Sequence, residues 1–476
     1  MENQGIRENK MGVMPVGKLV LTMSLPIVIS MLVQALYNVV DSMFVSMISK
    51  EAFNAVALAF PAQNLMIGFA TGSAVGVNAL VSRALGAKDP KHANRVALNG
   101  VCIALCCYVL FLLFAIFGAR AFITLQSASS DIAESRDAVI QYGCDYLLVV
   151  CGMSFGIFGE IMFERLLTST GRTVCTMISQ GVGAIINLIF DPIFIFVFHM
   201  GVTGAALATV LGQIVACCIA FILNLKKNTD IRLRVAGFRP DVQIIRGICA
   251  IGVPSIIMVA VGSVMTVLFN IILSKFTSEG LYMQNVFGSY FKLNSFIFMP
   301  IFGLNNGVIP IVAYNYGAQK RDRMMQAIRV AVAAAVTVMT LGMIIFEAFP
   351  GQLLRIFILN FTPEEVEMML TIGRPALRII GTTFVFAAIC IALGAVFQAL
   401  GKGVYSMVVS ISRQLVILLP AAYVLARIGQ NIGNDNLVWI SFPIAEIASL
   451  AVSLICFKRL YDTVISKVGR DTKAAA

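Results

Sequence analysis

The sequence predicts an all-α integral membrane protein of twelve transmembrane helices, in two six-helix bundles related by a parallel pseudo-two-fold repeat. Three observations carry that expectation. Hydrophobic residues fill 59% of the 476 positions and charged residues only 12%, against roughly half and a quarter in globular domains; mean hydropathy is +0.90. Basic residues collect in alternate loops, and three short segments recur in order at nearly constant spacing.

Crossing the hydrocarbon takes about 20 helical residues. Runs that meet this fall at 19–45, 52–81, 96–119, 138–167, 173–198, 201–225, 246–274, 283–313, 326–349, 367–399, 403–426 and 437–457. The first run is too long for a signal sequence and lacks a small-residue cleavage site, so it reads as an uncleaved span. The longer runs are expected to tilt, bend or extend beyond the membrane. Pro26, Pro61, Pro192, Pro254, Pro300, Pro310, Pro420 and Pro443 each remove a backbone donor and are expected to bend their helices.

Placing the N-terminus in the cytoplasm puts Arg83, Lys88, Lys91, Arg95, Arg165 and Arg172 inside, with Lys226, Lys227, Arg232, Arg234, Arg239 and Arg246. Lys320, Arg321, Arg323 and Arg329 join them, and the amino-terminal tail adds Arg7 and Lys10. Outer loops hold scattered cations such as Arg120, Arg136 and Lys275. That imbalance predicts a plasma-membrane protein with both termini cytoplasmic. The net charge of +11 therefore reports topology and implies no nucleic-acid partner.

The repeat is read from LPIVIS around Pro26 and VPSIIM around Pro254, offset by 228. GAKDPKHANRV and GAQKRDRMMQA are offset by 231, and TGRTVCTM and LGKGVYSM by 230. An even number of spans per half makes the repeat parallel. The expected division is an N-terminal lobe at 1–225, a basic cytoplasmic linker at 226–245 and a C-terminal lobe at 246–476.

Catalytic and cofactor chemistry is not predicted. The eleven cysteines lie almost entirely in apolar runs without a CxxC pair, as small hydrophobes do. His92 and His199 sit in or beside loops, so no metal cluster is expected. No Walker A, GxSxG, HExxH or dinucleotide pattern occurs. The chain reads as a non-enzyme without a cofactor, and as a secondary transporter driven by an ion gradient.

Polar groups inside the spans mark the candidate site. Gln180, Asn187 and Asp191 share one helical stripe, with Pro192 next. A carboxylate at membrane depth costs about 2.5–3.5 kcal/mol on insertion scales, so it marks function by default. In the first span Ser30, Gln34, Tyr37 and Asp41 form a second stripe beside Asn38, with Pro26 a turn below as a helix bend. Counting about 1.5 Å per residue from the outer ends sets Asp41, Asp191 and Thr209 at similar depth, with Asn187 one turn deeper. Such oxygens suit a hard alkali cation such as sodium, and a proton shared by two acids serves as well.

Other intramembrane charges leave alternatives open. Lys292 in the eighth span lines the cavity, pairs with a carboxylate or titrates. Glu160 and Glu164 add to coupling or line the cavity, or Glu164 pairs with Arg165. Arg413 and Glu446 are expected to form an interhelical ion pair.

LYNVVDSMFVS around Asp41, SRALGAKD at 82–89 and TSTGRTVCTMISQGVGAIINLIFDPIFIF at 168–196 resemble the multidrug and toxic compound extrusion (MATE) family. So do GVTGAALATVLGQ at 201–213 and FGLNNGVIPIVAYNYGA at 302–318. The resemblance implies a cation-coupled antiporter whose lobes rock between outward- and inward-facing states, exporting drug-like, organic cationic compounds. It assigns the coupling ion, sodium or proton, to Asp41, Asn187, Asp191 and Thr209, and expects a further polar residue on the fourth span. It places the chain in the bacterial branch with a basic residue in the eighth span. A flippase for lipid-linked precursors is the alternative. A monomer in the lipid bilayer is expected.

Overall fold

The computed structural model describes residues 9–127, 136–233, 237–356 and 362–469. Arg7 and Arg234 lie outside them. After a one-turn helix α1 (Lys10–Val13) the first half runs α2 (Val16–Ile48), α3 (Lys50–Gly86), α4 (Pro90–Leu113), α5 (Ala119–Ser127) and α6 (Arg136–Gly152). It continues through α7 (Phe155–Ser169), α8 (Thr173–Pro192) and α9 (Gly201–Lys227). The second half runs α10 (Val242–Phe276), α11 (Gly280–Gly317), α12 (Arg321–Ala348), α13 (Pro350–Arg355) and α14 (Pro363–Gly381). It ends with α15 (Phe384–Ala399), α16 (Gly403–Ile411), α17 (Leu419–Ile432) and α18 (Ser441–Thr463). π turns at Phe114–Gly118 and Ser412–Leu418 carry α4 into α5 and α16 into α17.

Among the described residues ten helical stretches are long and apolar enough to cross a membrane, and the bent pairs α6–α7 and α14–α15 bring the number to twelve. The span expected at 96–119 extends over 90–127 through its π turn. Those expected at 138–167 and 367–399 are broken, by 41° and 48°.

Neither break is at a proline. The helices α2, α3, α10 and α11 continue through Pro26, Pro61, Pro254, Pro300 and Pro310. The breaks fall beside hydroxyl residues instead: Ser154 donates to the Cys151 carbonyl at 2.7 Å and Thr383 to the Ile380 carbonyl at 2.6 Å. Such back-bonding offers the carbonyl a partner other than the helical N–H. Ser154 and Thr383 are 229 apart, so the breaks themselves obey the repeat.

Backbone geometry repeats in the same register. Lys88 and Gln319 adopt φ +58° and +57°, and Gly171 and Gly401 adopt +86° and +77°. Pro26 leaves the Thr22 carbonyl without its helical donor, and Thr173 at the start of α8 supplies a hydroxyl to it at 3.3 Å. The corresponding Gly403 brings α16 close to the backbone of Ala250 and Ile251 on α10.

The halves meet at the end of the bundle that carries the connecting segment 228–241, hereafter the linker end. There Arg172 forms an ion pair with Asp230, while Asn94 and Asn99 accept from the backbone of Arg232 and Asp241 at 2.7 and 2.9 Å. Gly72 and Gly76 let α3 lie against α10, and Gly303 and Gly307 let α11 lie against α2. Gly86 and Gly317 cross so tightly that a Cβ on either would fall 2.0 Å from a carbonyl oxygen, of Tyr314 and Arg83 respectively. Arg83 also stacks over the Tyr316 ring at 4.6 Å. Contacts between the halves extend up to Asn64 and Ser263, 3.3 Å apart near the middle of their helices.

Candidate coupling site

The site forms where α8 packs on α9 and α2. Gly183 and Gly212 oppose each other: a Cβ on Gly183 would be 2.9 Å from the Gly212 oxygen, and one on Gly212 2.6 Å from the Gly183 oxygen. That approach sets Asn187 and Thr209 side by side one turn further along. Asn187 Nδ2 donates to Thr209 Oγ1 at 3.4 Å and to Asp191 Oδ1 at 3.3 Å. Asp191 is fully buried in the last turn of α8, and Asn187 and Thr209 are buried with it. Beyond Pro192 the helix widens into a π turn at Ile193–Val197.

Asp41 enters from α2. Its carboxyl group lies beside that of Asp191, in electrostatic contact with it. Three buried oxygens, Asp41 Oδ1, Asn187 Oδ1 and Asp191 Oδ2, find no hydrogen-bond donor among the described residues. Buried acceptors of this kind ordinarily have partners. Two carboxylates, an amide oxygen and a hydroxyl provide a hard, all-oxygen donor set, which suits an alkali cation or a proton held between the acids.

A tyrosine of the fourth span also comes near the two aspartates. Tyr146 on α6 lies within electrostatic reach of both Asp41 and Asp191, and its hydroxyl donates to Gln63 on α3 at 3.2 Å. Gln63 and Tyr146 were not legible as site residues, because neither lies on a polar stripe shared with the aspartates and only helix packing brings them near. Tyr37, one turn from Asp41, is hydrogen-bonded to Gln34 and faces the two aspartates and Glu160. Those two first-span neighbours therefore belong to the wall of the site. Asn38, the next residue along, is exposed on α2.

Glu164 forms a second polar cluster nearer the linker end. It is buried on α7 and accepts from Ser179 and Gln180 of α8, both at 2.8 Å. Thr168 and Thr176 are 3.3 Å apart beside it. Its hydrogen-bond partners are thus neutral groups, while Arg165 stays in electrostatic contact with it. Gln180 shares a stripe with Asn187 and Asp191 but serves Glu164, since its offset of seven residues from Asn187 moves it two turns down the helix. Glu160 stands between the clusters, in electrostatic contact with Glu164 and Tyr37.

In the second half Lys292 is exposed on α11. Arg413, in the π turn before α17, pairs with Glu446 of α18 at 3.2 Å as expected. Pro26 does its local work at the foot of α2, away from the aspartates.

Comparison with known proteins gives a consistent result. The chain matches the MatE family over residues 26–193 and 254–424. It is 27% identical to the multidrug export protein MepA of Staphylococcus saprophyticus over 437 residues, 91% of this chain and 92% of that protein. The fold matches a crystal structure of MATE in complex with MaL6, with a TM-score of 0.87 and 24% identity over 97% of this chain and 99% of the other. An outward-facing multidrug resistance MATE transporter of the MOP superfamily matches with a TM-score of 0.86 and 24% identity, over the same shares.

Proposed function

This chain belongs to the MatE family, and from that membership we propose that it is a secondary antiporter exporting drug-like organic compounds in exchange for a cation. The observation that carries the reading is the contact between Asp41 and Asp191 with three unpartnered buried oxygens around it. Its multidrug-export relative favours this over the lipid-precursor flippase alternative, and no catalytic step is assigned to it.

Sodium or a proton binds among Asp41, Asn187, Asp191 and Thr209 from the end opposite the linker. The linker end is the cytoplasmic side, in keeping with its basic residues. With the halves packed there, the described conformation is closed on that side. Two acids in contact repel when both are ionised, and a bound proton or cation removes that repulsion. Binding thereby favours one arrangement of α2 against α8 over the other. The ion drives exchange only through this difference in affinity between states. The lobes at 1–225 and 246–476 rock about α2–α11 and α3–α10, and one chain in the plasma membrane contains the complete site.

Proteoliposome efflux of a fluorescent organic cation tests the reading. Wild-type protein is expected to extrude dye uphill under an imposed sodium gradient or an imposed pH gradient. Failure under both gradients, with protein correctly inserted, would overturn it.

A further inference from the structure

Residues 9–14 have contacts with both halves of the molecule. On the first half, Asn9 Nδ2 donates to the Thr170 carbonyl at 3.1 Å, and the Lys10 side chain lies against Gly171, whose φ of +86° favours the absence of a side chain. On the second half, three side chains converge on the same few carbonyls. Asn315 donates to Met11 at 3.2 Å, Lys320 to Gly12 at 3.1 Å, and Arg323 to Met14 at 2.6 Å and Met11 at 3.4 Å. Met11 is fully buried, packed in the core of the second half.

Thr170 and Asn315 stand on opposite sides of the division that the repeat defines. We propose that residues 9–14 are a latch, tying the α7–α8 turn to the α11–α12 turn and holding the linker end closed in this conformation. The segment continues through Pro15 into α2 of the first half, so for that end to part it must lose its grip on the second half. The Asn9–Thr170 bond holds it in place for that grip. The second-half anchor has four hydrogen bonds and the Asn9–Thr170 anchor one. The proposal rests on the reading that the halves separate at the linker end. Its test needs no transport, so the latch and the antiport reading fail separately.

Hydrogen exchange of the purified full chain in lipid nanodiscs tests it, read at peptides spanning 83–90 and 314–321. Asn9→Ser keeps an oxygen for the cap on Met11 N but falls short of Thr170. Arg323→Ala removes the strongest grip on the other half, and Lys320→Ala replaces it should that variant not fold. Each single substitution is expected to speed exchange at both peptides roughly 3- to 10-fold, in line with the loss of one or two hydrogen bonds. The double variant is expected to exchange no faster than the faster single one, since Asn9 acts only by holding the segment in place for the grip that Arg323 completes. Unchanged exchange in the single variants, effects that multiply in the double, or equal acceleration in all helices would each overturn the proposal.

Discussion

Thr173 Oγ1 donates to the Thr22 carbonyl at 3.3 Å, occupying the acceptor that Pro26 leaves without a helical partner. A proline inside α2 thus becomes a tie between α2 and α8, the two helices that bring Asp41 and Asp191 together. Pro26→Ala restores an N–H for Thr22 and makes the tie redundant. Removing an internal proline relieves up to about 3 kcal/mol of helix cost, so thermal stability should hold or rise. Efflux should fall severalfold, because a stiffer α2 moves less easily against α8. Differential scanning fluorimetry alongside dye efflux separates the two effects.

The Asn187 amide joins Asp191 to Thr209. Asn187→Leu keeps approximate volume but removes both hydrogen bonds and one candidate ligand oxygen. Stability should drop by about 1–3 kcal/mol, and stimulation of efflux by the driving gradient should fall at least tenfold. Thr209→Val, which loses only the hydroxyl, is expected to have a smaller effect on both readouts.

At the Gly86–Gly317 crossing, Gly86→Ala would put a methyl 2.0 Å from the Tyr314 oxygen, and that oxygen is backbone. The helices must separate. The variant should disfavour the closed linker end, seen as faster hydrogen exchange at residues 314–321 with the outer half of α8 unchanged.

The Arg413–Glu446 pair gives a sharper stability test. Arg413→Met alone strands a buried carboxylate, which should cost about 3–5 kcal/mol and lower the melting temperature in detergent. Arg413→Met combined with Glu446→Leu removes the stranded charge and should recover most of the loss. A double variant as unstable as the single would show that the pair is not what Arg413 contributes.

Much of this was legible in the sequence for physical reasons. Burial of long apolar runs fixes the number of spans, and carboxylates within them are too costly to be incidental, so Asp41 and Asp191 stood out. Their meeting was readable from depth counted along two helices. The helix breaks were not: Ser154 and Thr383 look like ordinary hydroxyls until their bonds to Cys151 and Ile380 are seen. Gln180 misled through periodicity, because a shared stripe sets direction but not depth. Tyr146 was missed because no pattern along α6 marks it, and only the packing of α6 on α3 brings it to the site.

In the proposed mechanism the Asp41–Asp191 contact couples the ion gradient to export. Its most direct test compares wild type with Asp191→Asn, reconstituted to equal density, in dye efflux under imposed sodium and pH gradients. At least one gradient should drive concentrative efflux by the wild type and neither should drive it in the variant, while downhill dye movement persists. Uphill efflux by Asp191→Asn with the same dependence on the gradient as wild type would contradict the account.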